Sequence, residues 1–125
     1  MFRPLAVAVA ALTLPATFAS AKTSASTPAG MDAAFANTIV STYPDGRTAK
    51  LWLNREGSYT AQGRRGDRSS GTWRVKGEKI CLKQSHPFAA PFTFCTAMAH
   101  GGVGTSWASK AVTGEAVRIK VVAGR

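Results

Sequence analysis

Turn signals recur about every 8 to 15 residues from Phe35 onward, and that spacing leaves room for little except short strands. Pro44-Asp45-Gly46 is one tight turn: proline sets φ at the first turn position and glycine takes the left-handed one. Asn54–Gly57 (NREG), Gly77-Glu78, Ala99–Gly104 (AHGGVG) and Val112–Glu115 mark others. Between the turns lie Phe35–Tyr43, Thr48–Leu53, Ser58–Gly63, Thr72–Lys76, Lys79–Gln84, Phe92–Met98, Ser106–Ala111 and Val117–Val122. Several runs alternate, with Trp73 and Val75 against Arg74 and Lys76, and Val117, Ile119 and Val121 against Arg118 and Lys120. The pattern predicts an all-β fold: an antiparallel meander of about eight short strands. A meander removes its open edges by closing, so a small barrel or strongly bent sheet is expected. One helical turn fits at Met31–Phe35, ahead of the first strand.

The two cysteines set a register. If Cys81 faces Cys95 across a hairpin, Leu82 faces Phe94 and Gln84 faces Phe92, so the apolar pair shares one face and the cysteines the other. A Cys81–Cys95 disulfide closes a loop of about 15 residues and contributes roughly 3 kcal/mol on the chain-entropy account. The same hairpin argues against a metal. Cys81 with His86 and Cys95 with His100 repeat one spacing, but antiparallel strands carry the histidines to opposite ends, roughly 30 Å apart. No metal or cofactor is expected.

Residues 1–21 read as a secretory signal peptide: Met1-Phe2-Arg3 is a short positive segment, Leu5–Phe18 is apolar, and Ala19-Ser20-Ala21 suits cleavage. The apolar run is shorter than the roughly 20 residues that span a bilayer and contains Pro15. Residues 22–30 (KTSASTPAG) read as a disordered leader, leaving residues 31–125 as a single β domain with no transmembrane segment. An exported chain with two cysteines is expected to hold one disulfide. The whole chain carries 16 Lys and Arg against 6 Asp and Glu, a formal +10; loss of Arg3 with the signal peptide makes that 15 against 6, or +9. Such a balance favours anionic surfaces. In a periplasmic or secreted protein of a Gram-negative bacterium these are anionic lipid, acidic polysaccharide or an envelope protein rather than nucleic acid.

Gly63–Gly71 (GRRGDRSSG) concentrates this charge. Arg64, Arg65 and Arg68 are expected on an exposed hairpin tip, in a connection of about seven residues. With Lys50 and Arg74 they form the candidate anion-binding set. Arg65-Gly66-Asp67 matches the tripeptide that animal integrins read, but a bacterial export signal gives it no such partner, and the match reads as chance. Trp52 alternates with Leu51 and Leu53, shares a face with Lys50, and is the candidate for stacking on a sugar or base. The acids Asp32, Asp45, Glu56, Asp67, Glu78 and Glu115 fall almost entirely in turns, and no G-x-S-x-G motif accompanies the histidines. The chain is therefore read as non-enzymatic, with no catalytic residues.

The run Gly71–Cys81 (GTWRVKGEKIC), with Phe35–Ile39 (FANTI) upstream and Phe94-Cys95 downstream, resembles small exported proteins of unknown function from alphaproteobacteria. "GTW" before a turn also occurs in lipocalin-like and avidin-like barrels. The resemblance implies a signal peptide followed by a β domain and brings no active site. Periplasmic lysozyme inhibitors are a second comparison, but a +9 chain would be repelled by basic animal-type lysozymes. Contact with an anionic surface or ligand is the leading expectation. A lipocalin-like barrel enclosing a small apolar ligand, and an inhibitor or interaction module, are the alternatives.

Overall fold

A computed structural model describes residues 31–97 and 101–125. The expected signal peptide and leader lie outside the described residues, as do Met98 and His100. A short helix, α1 (Met31–Ala36), leads into β1 (Thr38–Thr42), β2 (Thr48–Leu53), β3 (Ser58–Gln62), β4 (Arg68–Lys76), β5 (Lys79–His86), β6 (Phe94–Ala97), β7 (Ser106–Lys110) and β8 (Ala116–Val122). All pairings are antiparallel, in the order β6-β5-β4-β3-β2-β1-β8-β7. The first strand pairs with the last, so the sheet curls into a nearly closed eight-stranded barrel with one seam, between β6 and β7. Across that seam the Thr96 and Ser109 hydroxyls lie 3.0 Å apart.

The cysteine register is as expected. Cys81 pairs with Cys95 in a disulfide, Leu82 faces Phe94, and Ile80 faces Thr96. The Gln84–Phe92 pair does not form. The ladder stops at Phe94, and residues 87–93 become a loop whose prolines, Pro87 and Pro91, have no N–H to give a ladder. The Gln84 carbonyl instead accepts from the Ala90 N–H (3.1 Å), and Gln84 Nε2 donates to the Phe88 carbonyl (3.2 Å).

Two boundaries differ from expectation. The first strand starts at Thr38 rather than Phe35: Phe35 belongs to α1, in line with the helical turn expected at Met31–Phe35, because Met31, Ala34 and Phe35 recur at helical spacing and are all buried. Strand β4 starts at Arg68 rather than Thr72. Arg68, Ser69, Ser70 and Gly71 have weak strand preference, but each pairs with a β3 residue, from Gln62↔Arg68 to Tyr59↔Gly71. Pairing overrides propensity here, and the connection shrinks to Gly63–Asp67. Gly66, with φ +88°, takes the left-handed position in that turn.

The chain direction sorts the loops. Tyr43–Arg47, Gly63–Asp67, Pro87–Thr93 and Ala111–Glu115 stand at one end of the barrel. Helix α1, the remaining turns and the C-terminal residues stand at the other. A six-residue helix is not stable alone; α1 is held by packing. Phe35 lies 5.5 Å from the Trp73 ring and under the Arg55 guanidinium at 4.7 Å. Met31 and Ala34 are sealed against a core that includes Leu53, Tyr59 and Ile80. Arg125 donates to the carbonyls of Phe35 and Leu53, tying the C-terminus over the same end.

Candidate functional site

Eight strands enclose an interior that side chains can just fill, or that can hold one small molecule. Which of these occurs depends on the size of the inward residues, and here they are graded along the axis. Toward α1 they are large: Ile39, Leu53, Tyr59, Trp73 and Ile80. Toward the four loops they are small on β1 to β4: Ser41, Ala49, Ala61 and Ser69. The accessibility follows the gradient. Ile39, Leu53, Tyr59 and Ile80 are at most 5 % exposed, whereas the inward Leu51, Ala61, Leu82 and Phe94 are half-buried. Surface that is accessible on the inside of a barrel is the wall of a cavity.

That cavity measures about 320 Å³. Its floor is formed by Ile39, Tyr59 and Ile80, its sides by Leu51, Leu82 and Phe94, and it reaches the loop residues Tyr43, Ala90, Phe92 and Val112. Trp107, Val117 and Ile119 complete the wall on the β7–β8 side. The polar groups include Ser41, Ser69, Gln84, Thr96, the Tyr59 hydroxyl and the buried Trp107 indole N–H, with Lys50, Gln62 and Lys110 also among the lining residues. Burial pushes the Tyr59 pKa up, so that hydroxyl keeps its proton and remains a donor.

The expected arginine cluster does not assemble as one site. Arg64 is a clamp at the cavity mouth: Nη1 and Nη2 donate to both Glu115 carboxylate oxygens at 3.0 and 2.7 Å, and Asp45 lies 3.6 Å away. Its guanidinium also covers the Tyr43 ring at 4.3 Å. The clamp joins three of the four mouth loops. It raises the Arg64 pKa through the Glu115 hydrogen bonds, and it holds the Glu115 carboxyl below the usual carboxylate range, with help from the Thr113 hydroxyl. Arg65 is exposed at the turn.

Lys50 and Arg68 share one outer row, Lys50↔Gln62↔Arg68. Arg74 lies six residues further down β4, roughly 20 Å away. Trp52 is on the outer face, as expected, but half-buried. Its indole N–H donates to the Thr38 hydroxyl (2.9 Å), which donates to the Gly124 carbonyl (2.7 Å), so the ring is engaged with the C-terminal tail.

Two features were missed at the sequence level. The β8–β1 pairing brings Lys120 opposite Val40, in the same row as Lys50 and Arg68, with Arg118 beside it. The strands carry nine cations (Lys50, Arg68, Arg74, Lys76, Lys79, Lys83, Lys110, Arg118, Lys120) and no acid. The signal for both was present, since VRIKVV turns Arg118 and Lys120 outward, but the partner strand is 76 residues or more away in the chain.

Fold and site together define a nearly closed antiparallel barrel, plugged at one end by a helix and hollow toward the other. Comparison with known proteins finds no protein family, curated protein or solved structure that matches the chain. Among the described residues, no helix is long and apolar enough to cross a membrane.

Proposed function

We propose that this protein is an exported, non-enzymatic binding barrel that takes one small, mainly apolar molecule through its loop end. The observation that carries this reading is the graded interior: large residues and a helical plug below, small residues and a cavity of about 320 Å³ above. That volume is near the lower bound for ligand sites, and about twice the cavity that holds a benzene ring. It suits a ligand of roughly a dozen non-hydrogen atoms. At about 0.3–0.5 kcal/mol per atom, such a ligand binds with a Kd of roughly 0.04–2 mM. The walled interior favours this over the anionic-surface reading as the primary function, because the arginines expected to form an anion site are dispersed or already paired.

The test is displacement of an environment-sensitive apolar fluorophore by short alkanes, alcohols and aromatics, with the Trp107 emission followed in parallel. Ala61→Phe places a ring in the cavity and is expected to abolish binding while the fold, followed by circular dichroism, is retained. A folded Ala61→Phe variant that binds the fluorophore as the wild type does rules out the interior as the site.

A further inference from the structure

We infer that the loop end of the barrel docks onto an anionic lipid bilayer, so that the cavity opens toward the membrane; the orientation rests on the ligand-binding reading, the docking itself does not. The first observation is the loop Pro87–Thr93 (PFAAPFT), which has no charged residue and exposes two phenylalanines, Phe88 at 63 % and Phe92 at 54 %. Val112 of the neighbouring mouth loop is 59 % exposed. Of the five large apolar side chains exposed among the described residues, these three stand at the mouth; Val103 and Val122 lie at the other end. The loop is not slack. The Lys83 ammonium donates to the Ala90 carbonyl, and the two Gln84 bonds hold its base, so Ala90 is buried while Phe88 and Phe92, the latter at the rim of the cavity, stay exposed. Aromatic rings on a fixed tip suit the boundary between headgroups and acyl chains.

The second observation is independent of the rings. Beside this loop, at the rim of the barrel, the outer-face residues Thr60, Arg68, Ser70 and His86, together with Ala61, Ser69 and Pro87, line a shallow groove. Ser70 faces His86 across the β4–β5 ladder, and Arg68 is the first residue of β4. A guanidinium among hydroxyls and an imidazole is a donor set for a phosphate. Pro87 belongs to both the groove and the apolar loop. A lipid lying here therefore has its phosphate at Arg68 and its acyl region at Phe88. Lys110 at the mouth and the acid-free strand walls give the approach the charge complementarity that an anionic leaflet requires.

Co-sedimentation of the purified protein with vesicles tests this, using phosphatidylglycerol-containing vesicles against pure phosphatidylcholine at low and about 0.5 M salt. Because Leu5–Phe18 is itself apolar, all variants are compared with one shared N-terminus. Expected are binding to the anionic vesicles, release by salt, about tenfold loss in the Phe88→Ser/Phe92→Ser double variant, and about fivefold loss in Arg68→Ser. Absence of vesicle binding, or binding that neither variant changes, overturns the proposal. So does retention on an acidic polysaccharide with no binding to vesicles. Fluorophore binding in vesicle-free solution separates the two ideas: a protein that fills its cavity but ignores vesicles refutes docking alone, and one that binds vesicles but no fluorophore refutes the ligand reading alone.

Discussion

Leu53→Ala and Leu82→Ala make the same chemical deletion at the two ends of the barrel interior, and the hollow predicts unequal costs. Leu53 is 0 % exposed and sits in the plugged end among Met31, Phe35 and Tyr59. Truncating a sealed leucine removes its transfer energy and leaves a void, about 3–4 kcal/mol. Leu82 also points inward, but it lines the cavity and is half-buried. At most about a third of its surface lacks protein contact, but its truncation only enlarges a cavity already present and opens no new sealed void, so it costs about 1–2 kcal/mol. A domain of roughly 95 residues has a total stability of about 5–14 kcal/mol, so both variants fold. A difference of about 2 kcal/mol separates their urea midpoints by roughly 1 M or more at ordinary slopes. Equal midpoints would show an interior packed alike at both ends, and the ligand reading would fall with the gradient.

Replacing Cys81 and Cys95 together with alanine is expected to lower stability by about 3 kcal/mol in urea, from the 15-residue loop that opens in the unfolded chain. Gly71→Ala is expected to cost about 3 kcal/mol or more, because a Cβ there would lie 1.9 Å from the Lys83 carbonyl oxygen and two strands of backbone must part to admit it; a urea midpoint near that of the wild type refutes the close approach. Glu115 has a folded pKa below its unfolded one, so its clamp on Arg64 stabilises above the ordinary carboxylate range and is lost as pH falls through the folded value. The melting-temperature gap between wild type and Glu115→Gln should therefore be full at pH 7 and close below about pH 4; a gap independent of pH refutes the clamp.

Much of the fold was legible because its determinants are local. The β5–β6 register followed from two cysteines and the period of two, and it placed Leu82 against Phe94 correctly. Strand β2 was read to the residue, since TAKLWL lies between two strong turns. Arg68–Gly71 was misread because its residues favour loops and only the β3 partner makes them a strand. The cavity was not legible for a different reason. Alternation says which face a side chain takes, not how far along the axis it lies once strands are sheared around a barrel. Ser41, Ala49, Ala61 and Ser69 come from four separate strands, β1 to β4, and their gathering at one end appears only when the strands are registered.

The charge of the chain acquires a location in the same way. All six acids lie outside the strands, and three of them, Asp32, Asp45 and Glu115, already hold Arg55 or Arg64. The turns therefore nearly neutralise themselves, and the positive excess remains on the outer wall, where the fold does not benefit from it. Lys76 faces Lys79 directly across the β4–β5 ladder, a like-charge pair that weakens the sheet. Arg68 at the head of β4 has an acidic neighbour in Asp67, yet no ion pair forms between described residues there. A wall that repels itself is a cost to folding that an anionic surface outside the molecule would relieve, and the uncharged loop Pro87–Thr93 marks the end at which we propose that such a surface is met.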